Sequence, residues 1–188
     1  MSEFAQTPSQ TVGPFYGYAL PLEGGDEVVP PWRAGSIRVH GTVFDGAGDP
    51  IPDAIVETWQ ADPNGRRVTE RGVLTRDPYG FSGFGRMTVN GDGHWSVTTL
   101  KPGSTAPHAA PFVLVTVFAR GLLHHLFTRM YFGDEEDLNA NDPVLSSIDA
   151  SRRSTMIAQP DGERSYLFDI RLQGEGETVF LDYGLGNG

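Results

Sequence analysis

Apolar and polar residues alternate over two runs, Ile37 to Phe44 and Ala54 to Gln60. A period of two marks a half-buried strand, and the segment Asp45-Gly-Ala-Gly-Asp-Pro-Ile-Pro-Asp53 between them is built from turn residues. On the second run Glu57 and Trp59 share one face, while Val56, Thr58 and Gln60 point the other way. A carboxylate beside a large aromatic needs a partner, either an Arg or a backbone donor.

The same reading predicts strands over Phe84–Val89, His94–Leu100, Phe112–Phe118 and Leu126–Phe132. Asn90-Gly-Asp-Gly93 is a hairpin signal between the first two. Phe112–Phe118 is the most apolar run and suits a central strand covered on both faces. Thr155–Ala158 and Tyr166–Leu172 read as a hairpin around Pro160-Asp-Gly162, and 174–183 as ending in a short strand. One short helix is expected at Asp142–Ile148, because Asp142 is an N-cap residue and Pro143 fits the first helical position. Arg66–Phe81 and 104–111 read as loops, and Gly133–Asp137 as an acidic turn.

Residues 1–36 carry Thr7-Pro-Ser-Gln-Thr-Val-Gly-Pro14, then Phe15, Tyr16 and Tyr18, then Pro30-Pro-Trp32. Proline and glycine at this density disfavour helix and ladder pairing, so this stretch is expected to be an extended arm. Its aromatics either cover its own domain or dock on a partner subunit. The expected fold is therefore all-β: a two-sheet antiparallel β-sandwich over 37–188, with about eight or nine short strands, an extended N-terminal arm and little helix.

A length of 188 residues suits one full-sized core. The net charge of −10 argues against nonspecific binding to nucleic acid or anionic lipid, which phosphate repulsion would oppose. Cysteine is absent, excluding disulfides and thiolate metal sites and fitting a reducing compartment. No export signal and no apolar run long enough to span a bilayer is visible, so cytoplasm is the expected location.

Little here carries chemistry by itself. Two histidines on one strand face need a His-x-His spacing, which does not occur. His124 and His125 are adjacent and would point to opposite faces of a strand; His40, His94 and His108 stand alone. There is no Gly-x-Ser-x-Gly elbow, no cysteine nucleophile and no phosphate-binding glycine loop. Arg120 remains, at the end of an apolar strand and before Gly121. It would either orient an acidic substrate through paired hydrogen bonds or form a salt bridge to a nearby Asp or Glu.

Several long motifs, in order, give a resemblance. They are Thr7–Pro14, Glu57-Thr-Trp-Gln-Ala-Asp-Pro-Asn-Gly65, Phe84-Gly-Arg86, Thr99-Leu-Lys-Pro-Gly103, Phe118-Ala-Arg-Gly121, Thr128-Arg-Met-Tyr-Phe132 and Phe168–Phe180. The sequence resembles the intradiol ring-cleaving dioxygenases, and within them the chain without iron of two-chain members. The resemblance implies a β-sandwich core and the opening of a catechol ring, that of protocatechuate, by O2 to 3-carboxy-cis,cis-muconate. In that family a catalytic chain holds non-haem ferric iron through two tyrosines and a His-x-His pair. Here the corresponding strand reads Phe112-Val-Leu114, and no tyrosine lies between Tyr79 and Tyr131.

The resemblance therefore implies no catalytic or metal residue on this chain, and iron carried by a homologous beta subunit in a higher-order alpha-beta oligomer. It places Thr11, Gly13, Pro14, Phe15 and Arg120 in the substrate pocket, with Phe15 standing where a tyrosine is expected. Two other readings are a self-sufficient iron enzyme using Tyr16, Tyr18, His108 or His124, and a non-catalytic β-sandwich binding module.

Overall fold

The computed structural model describes residues 7–69 and 77–184. The expected loop at Arg66–Phe81 therefore lies partly outside the described residues. The strands are β1 (Ser36–Phe44), β2 (Ile55–Gln60), β3 (Phe84–Thr88), β4 (His94–Leu100), β5 (Phe112–Phe118), β6 (Leu126–Phe132), β7 (Ile157–Pro160), β8 (Ser165–Leu167) and β9 (Ile170–Arg171). Among the described residues helix is confined to α1 (Tyr16–Ala19), α2 (Glu136–Asn141), α3 (Pro143–Ser147) and a 3-10 turn at Arg153–Met156. The protein is mostly β with little helix, as the alternation predicts.

The strands pair in one order, β3-β2-β5-β6-β7-β8-β1-β4, with β9 beside β1, and the sheet nearly closes on itself like a barrel. Hydrogen bonding does not divide it into two sheets. Nor is it wholly antiparallel: β1 runs parallel to β8 and β9, and β6 parallel to β7. The long connection carrying α2, α3 and the 3-10 turn allows β6 and β7 to lie parallel, while β1 meets β8 and β9 from far along the chain.

The turn at Asn90–Gly93 forms, with Gly93 N–H donating to the Asn90 carbonyl at 2.9 Å. No ladder joins β3 to β4, however; they lie at opposite ends of the strand order. The arm occupies the gap. Arg86 N–H donates to Gly25 O at 3.0 Å, and Val28 N–H donates to Thr98 O at 2.9 Å, so residues 25–28 bridge the two edges. On the inner side, the Gln60 amide donates to Leu100 O at 2.6 Å and accepts from the Thr99 hydroxyl at 2.9 Å.

Inside lies one main core of Val39, Val43, Val56, Trp95, Val97, Val113, Val115, Val117, Met130 and Phe132. Side chains of this size contribute about 1.5–3 kcal/mol each when buried. A smaller cluster gathers Leu145, Met156 and Tyr131 under α3. There Asp142 caps α3, accepting from Val144 N–H at 2.9 Å and Leu145 N–H at 3.0 Å, which matches the predicted cap and Pro143 at the first turn.

Further local expectations are corrected: the arm, expected to be extended, carries the short helix α1. The acidic turn continues into α2, since glutamate and aspartate favour a helix's first turn. The stretch 174–183 forms no described strand; Val179 N–H goes to the Thr155 hydroxyl and Leu181 N–H to Phe127 O, bonds outside any ladder. No described helix is long and apolar enough to cross a membrane.

Candidate functional site

The register of β2 against β5 builds the site. Ile55 lies opposite Phe118, and continuing the antiparallel pairing places Asp53 opposite Arg120. The Arg120 guanidinium forms an ion pair with the Asp53 carboxylate through Nε. The salt-bridge reading of Arg120 is thus realised, yet its side chain remains 54% exposed. The chain reverses immediately beyond it at Gly121, whose φ of +94° lies where glycine is favoured.

The arm reaches the same place twice. Gly121 N–H donates to Thr11 Oγ1 at 2.8 Å, and the Tyr16 hydroxyl donates to the Asp53 carbonyl. Burial, reinforced by the Asp53 charge and opposed by Arg120, pushes the Tyr16 phenol up to about 12, so it stays a neutral donor at physiological pH. Between these anchors Gly13, Pro14 and Phe15 are exposed, Phe15 by 75%. The structure therefore gathers Thr11 and Arg120 and leaves Gly13, Pro14 and Phe15 on the adjoining surface. Asp53, which motif reading passed over, joins them, as does Tyr16, considered in the sequence only as an arm aromatic and an iron ligand; only strand register could have paired Asp53 with Arg120.

Tyr18 and Trp32 of the arm are also exposed, and Trp32 packs against Tyr79 with ring centroids 6.1 Å apart. The shallow cavities elsewhere, one lined by Thr155, Gln159, Asp169 and Arg171 and another beside Asp45–Gly48, involve neither Arg120 nor the arm.

Ferric iron does not fit the residues at the implied position. Phe112 and Leu114 present hydrocarbon there, and Arg129, paired with Leu114 on β6, sets its guanidinium 4.2 Å from the Phe112 ring centre. Burial disfavours that charge, but hydrogen bonds with Tyr131 and Tyr183 outweigh it and hold Arg129 protonated. Burial likewise raises the Tyr131 phenol, which donates to Asp142 at 3.1 Å. A fixed cation among apolar groups repels a metal ion.

Among the described residues no group of three or more His, Asp or Glu is arranged to hold a metal. Of the histidines, His40 and His94 converge across β1 and β4: His94 Nε2 lies 3.3 Å from His40 Nδ1, and His40 Nε2 lies 2.9 Å from Asp161. Burial, then the neighbouring His40 and Arg38, lowers the His94 pKa. His124 and His125 sit in the turn before β6, where His125 packs on Phe118 and Phe127.

Comparison with known proteins agrees with this picture. A family model described as Dioxygenase matches residues 32–174. The protocatechuate 3,4-dioxygenase alpha chain of Burkholderia cepacia is 41% identical, over 97% of this chain and 100% of its own. The beta chain from the same organism is 31% identical over 76% of this chain and 66% of its own. Among solved structures, an intradiol ring-cleavage dioxygenase from Tetranychus urticae superposes with a TM-score of 0.60 at 17% identity, covering 81% of this chain and 87% of that one, a likeness of fold. With a family match across most of its length and full-length relatives of this similarity, the chain belongs to the intradiol ring-cleaving dioxygenases.

Proposed function

We propose that this chain is the alpha-type subunit of a protocatechuate 3,4-dioxygenase, an oxidoreductase that opens the ring of 3,4-dihydroxybenzoate between its two hydroxyl-bearing carbons. Both atoms of O2 enter the product, 3-carboxy-cis,cis-muconate. The observation that carries this reading is Arg120: a half-exposed guanidinium fixed beside the arm, on a chain whose own metal position is filled by Phe112, Leu114 and Arg129.

Metal chemistry then belongs to a homologous beta subunit, a division supported by the similarity of this chain to both chains of one enzyme. This chain contributes a wall to the shared pocket. Arg120 offers positive charge and paired donors to an anionic aromatic acid. Thr11, Gly13, Pro14 and Phe15 shape the adjoining surface, and Phe15 supplies an apolar ring where it would exclude water. The exposed aromatics Phe15, Tyr18 and Trp32 give the arm over 1–36 an apolar face to lay on the beta subunit within a higher-order alpha-beta assembly. The domain over 37–188 serves as a sandwich, with β3-β2-β5-β6 and β8-β1-β4 as its two layers around the shared core. A chain without cysteine suits the cytoplasm.

The test is coexpression with a homologous chain that carries the two tyrosines and His-x-His. The complex should contain iron and cleave protocatechuate. Arg120→Ala should keep assembly and iron content and lower kcat/KM on the order of tenfold to a hundredfold. Unchanged kinetics would remove Arg120 from the site, and stoichiometric iron in this chain purified alone would overturn the division of labour.

A further inference from the structure

Arg120 is held from one side only. The Asp53 carboxylate engages its Nε, and no other partner of its guanidinium occurs among the described residues. The terminal Nη groups, which carry four of the five N–H donors, are the ones left to face a ligand. A guanidinium gripped at Nε and free at its far edge presents that edge in a fixed direction, the geometry a carboxylate needs for two parallel hydrogen bonds.

Asp53 is fixed in turn by the arm. Its carbonyl accepts from the Tyr16 hydroxyl, and Tyr16 is buried. Five residues earlier, Thr11 accepts from Gly121 N–H at 2.8 Å, beside Arg120. Thr11 and Tyr16 thus tie down both ends of the Asp53–Arg120 pair, and the next residue, Ala54, is fully buried, which anchors the turn from below.

We propose that Asp53 is a positioning residue for Arg120, and that the arm sets the direction of the Arg120 side chain through the Tyr16 bond to Asp53. The proposal rests on the reading of Arg120 as part of the substrate wall. It goes further in assigning the orientation of that residue to a carboxylate and a phenol that need not touch substrate.

Removing the Asp53 charge leaves Arg120 cationic but unaligned. Attraction for an anionic substrate survives, while the fraction of productive geometry falls. In the iron-loaded alpha-beta complex, Asp53→Asn should lower kcat on the order of tenfold with little change in KM for protocatechuate. Arg120→Ala, which removes the charge itself, should raise KM as well. Tyr16→Phe keeps the ring and loses only the bond to Asp53; it should lower kcat by a smaller factor and speed chymotryptic cleavage of the arm in this chain alone, without altering iron content.

If Arg120→Ala impairs turnover while Asp53→Asn and Tyr16→Phe match the unaltered complex, Asp53 has no positioning role and the proposal is overturned. If Arg120→Ala itself has no effect, the reading beneath it fails instead. Should Asp53→Asn not assemble, Tyr16→Phe decides alone: unchanged kcat and unchanged cleavage reject the coupling.

Discussion

The Glu57 carboxylate on β2 accepts from Arg86 Nε on β3 at 2.6 Å, directly across the strand pair, and the same oxygen lies 2.6 Å from Nη2 in an ion pair. The third group of the guanidinium, Nη1, donates to Leu20 O of the arm at 3.2 Å. One ion pair therefore ties two strands and the arm together beside the half-exposed Trp59. Glu57→Ala leaves Arg86 without its counterion, and the expected cost is about 1–3 kcal/mol, towards the low end because both side chains keep some solvent contact. Urea unfolding measures it; a cost within error of zero would show that water replaces the pair.

Asp142 is buried and accepts from four donors: Ala110 N–H, Val144 N–H, Leu145 N–H and the Tyr131 hydroxyl. Asp142→Ala removes the cap of α3 and strands three backbone donors and a phenol. The cost should exceed the ~0.5–2 kcal/mol of an ordinary lost cap. Asp142→Asn, which keeps one acceptor oxygen, should recover part of it. Equal losses for the two variants would contradict this account.

Gly41 lies within β1, and a Cβ placed there would sit 1.9 Å from the Phe168 carbonyl, backbone that cannot swing aside. Gly41→Ala must push apart β1 and the segment joining β8 to β9. A loss of about 1–3 kcal/mol or more is expected, visible as a lower urea midpoint. A neutral substitution would mean that this approach relaxes at little cost.

Asp134 and Lys101 make an acid-sensitive joint. Burial favours the neutral acid, but hydrogen bonds from Lys101 and Tyr166 outweigh it and hold the Asp134 pKa below the usual carboxylate range. A depressed folded-state pKa contributes stability that is present above the unfolded value, about 3.9, and is lost as pH falls through the folded one. Asp134→Asn should therefore be less stable than the unaltered protein at pH 7, with the gap closing below about pH 4. A gap constant from pH 7 to pH 2 would rule out this linkage.

Much of the fold was legible because its signals are local. The strand spans β1 to β6 follow from alternation or, for β5, from a continuous apolar run, and the α3 cap from Asp142-Pro143; a carboxylate beside Trp59 called for a partner, an Arg or a backbone donor, and the structure supplies Arg86. The short α1 and α2 escaped notice because four and six residues hold too few turns for a helical period to show.

The sequence by itself determined the strand spans β1 to β6, that no His-x-His pair exists, and that Phe112 and Leu114 offer a metal no donor atom. Only the tertiary structure decided that residues 25–28 would join the β3 and β4 edges, that His40 would meet His94, and that Arg120 would face Asp53. The physical reason is that strand propensity depends on neighbours along the chain. Register and pairing are instead set by the best simultaneous burial of distant segments, and a shift of one residue would turn every inward side chain outward.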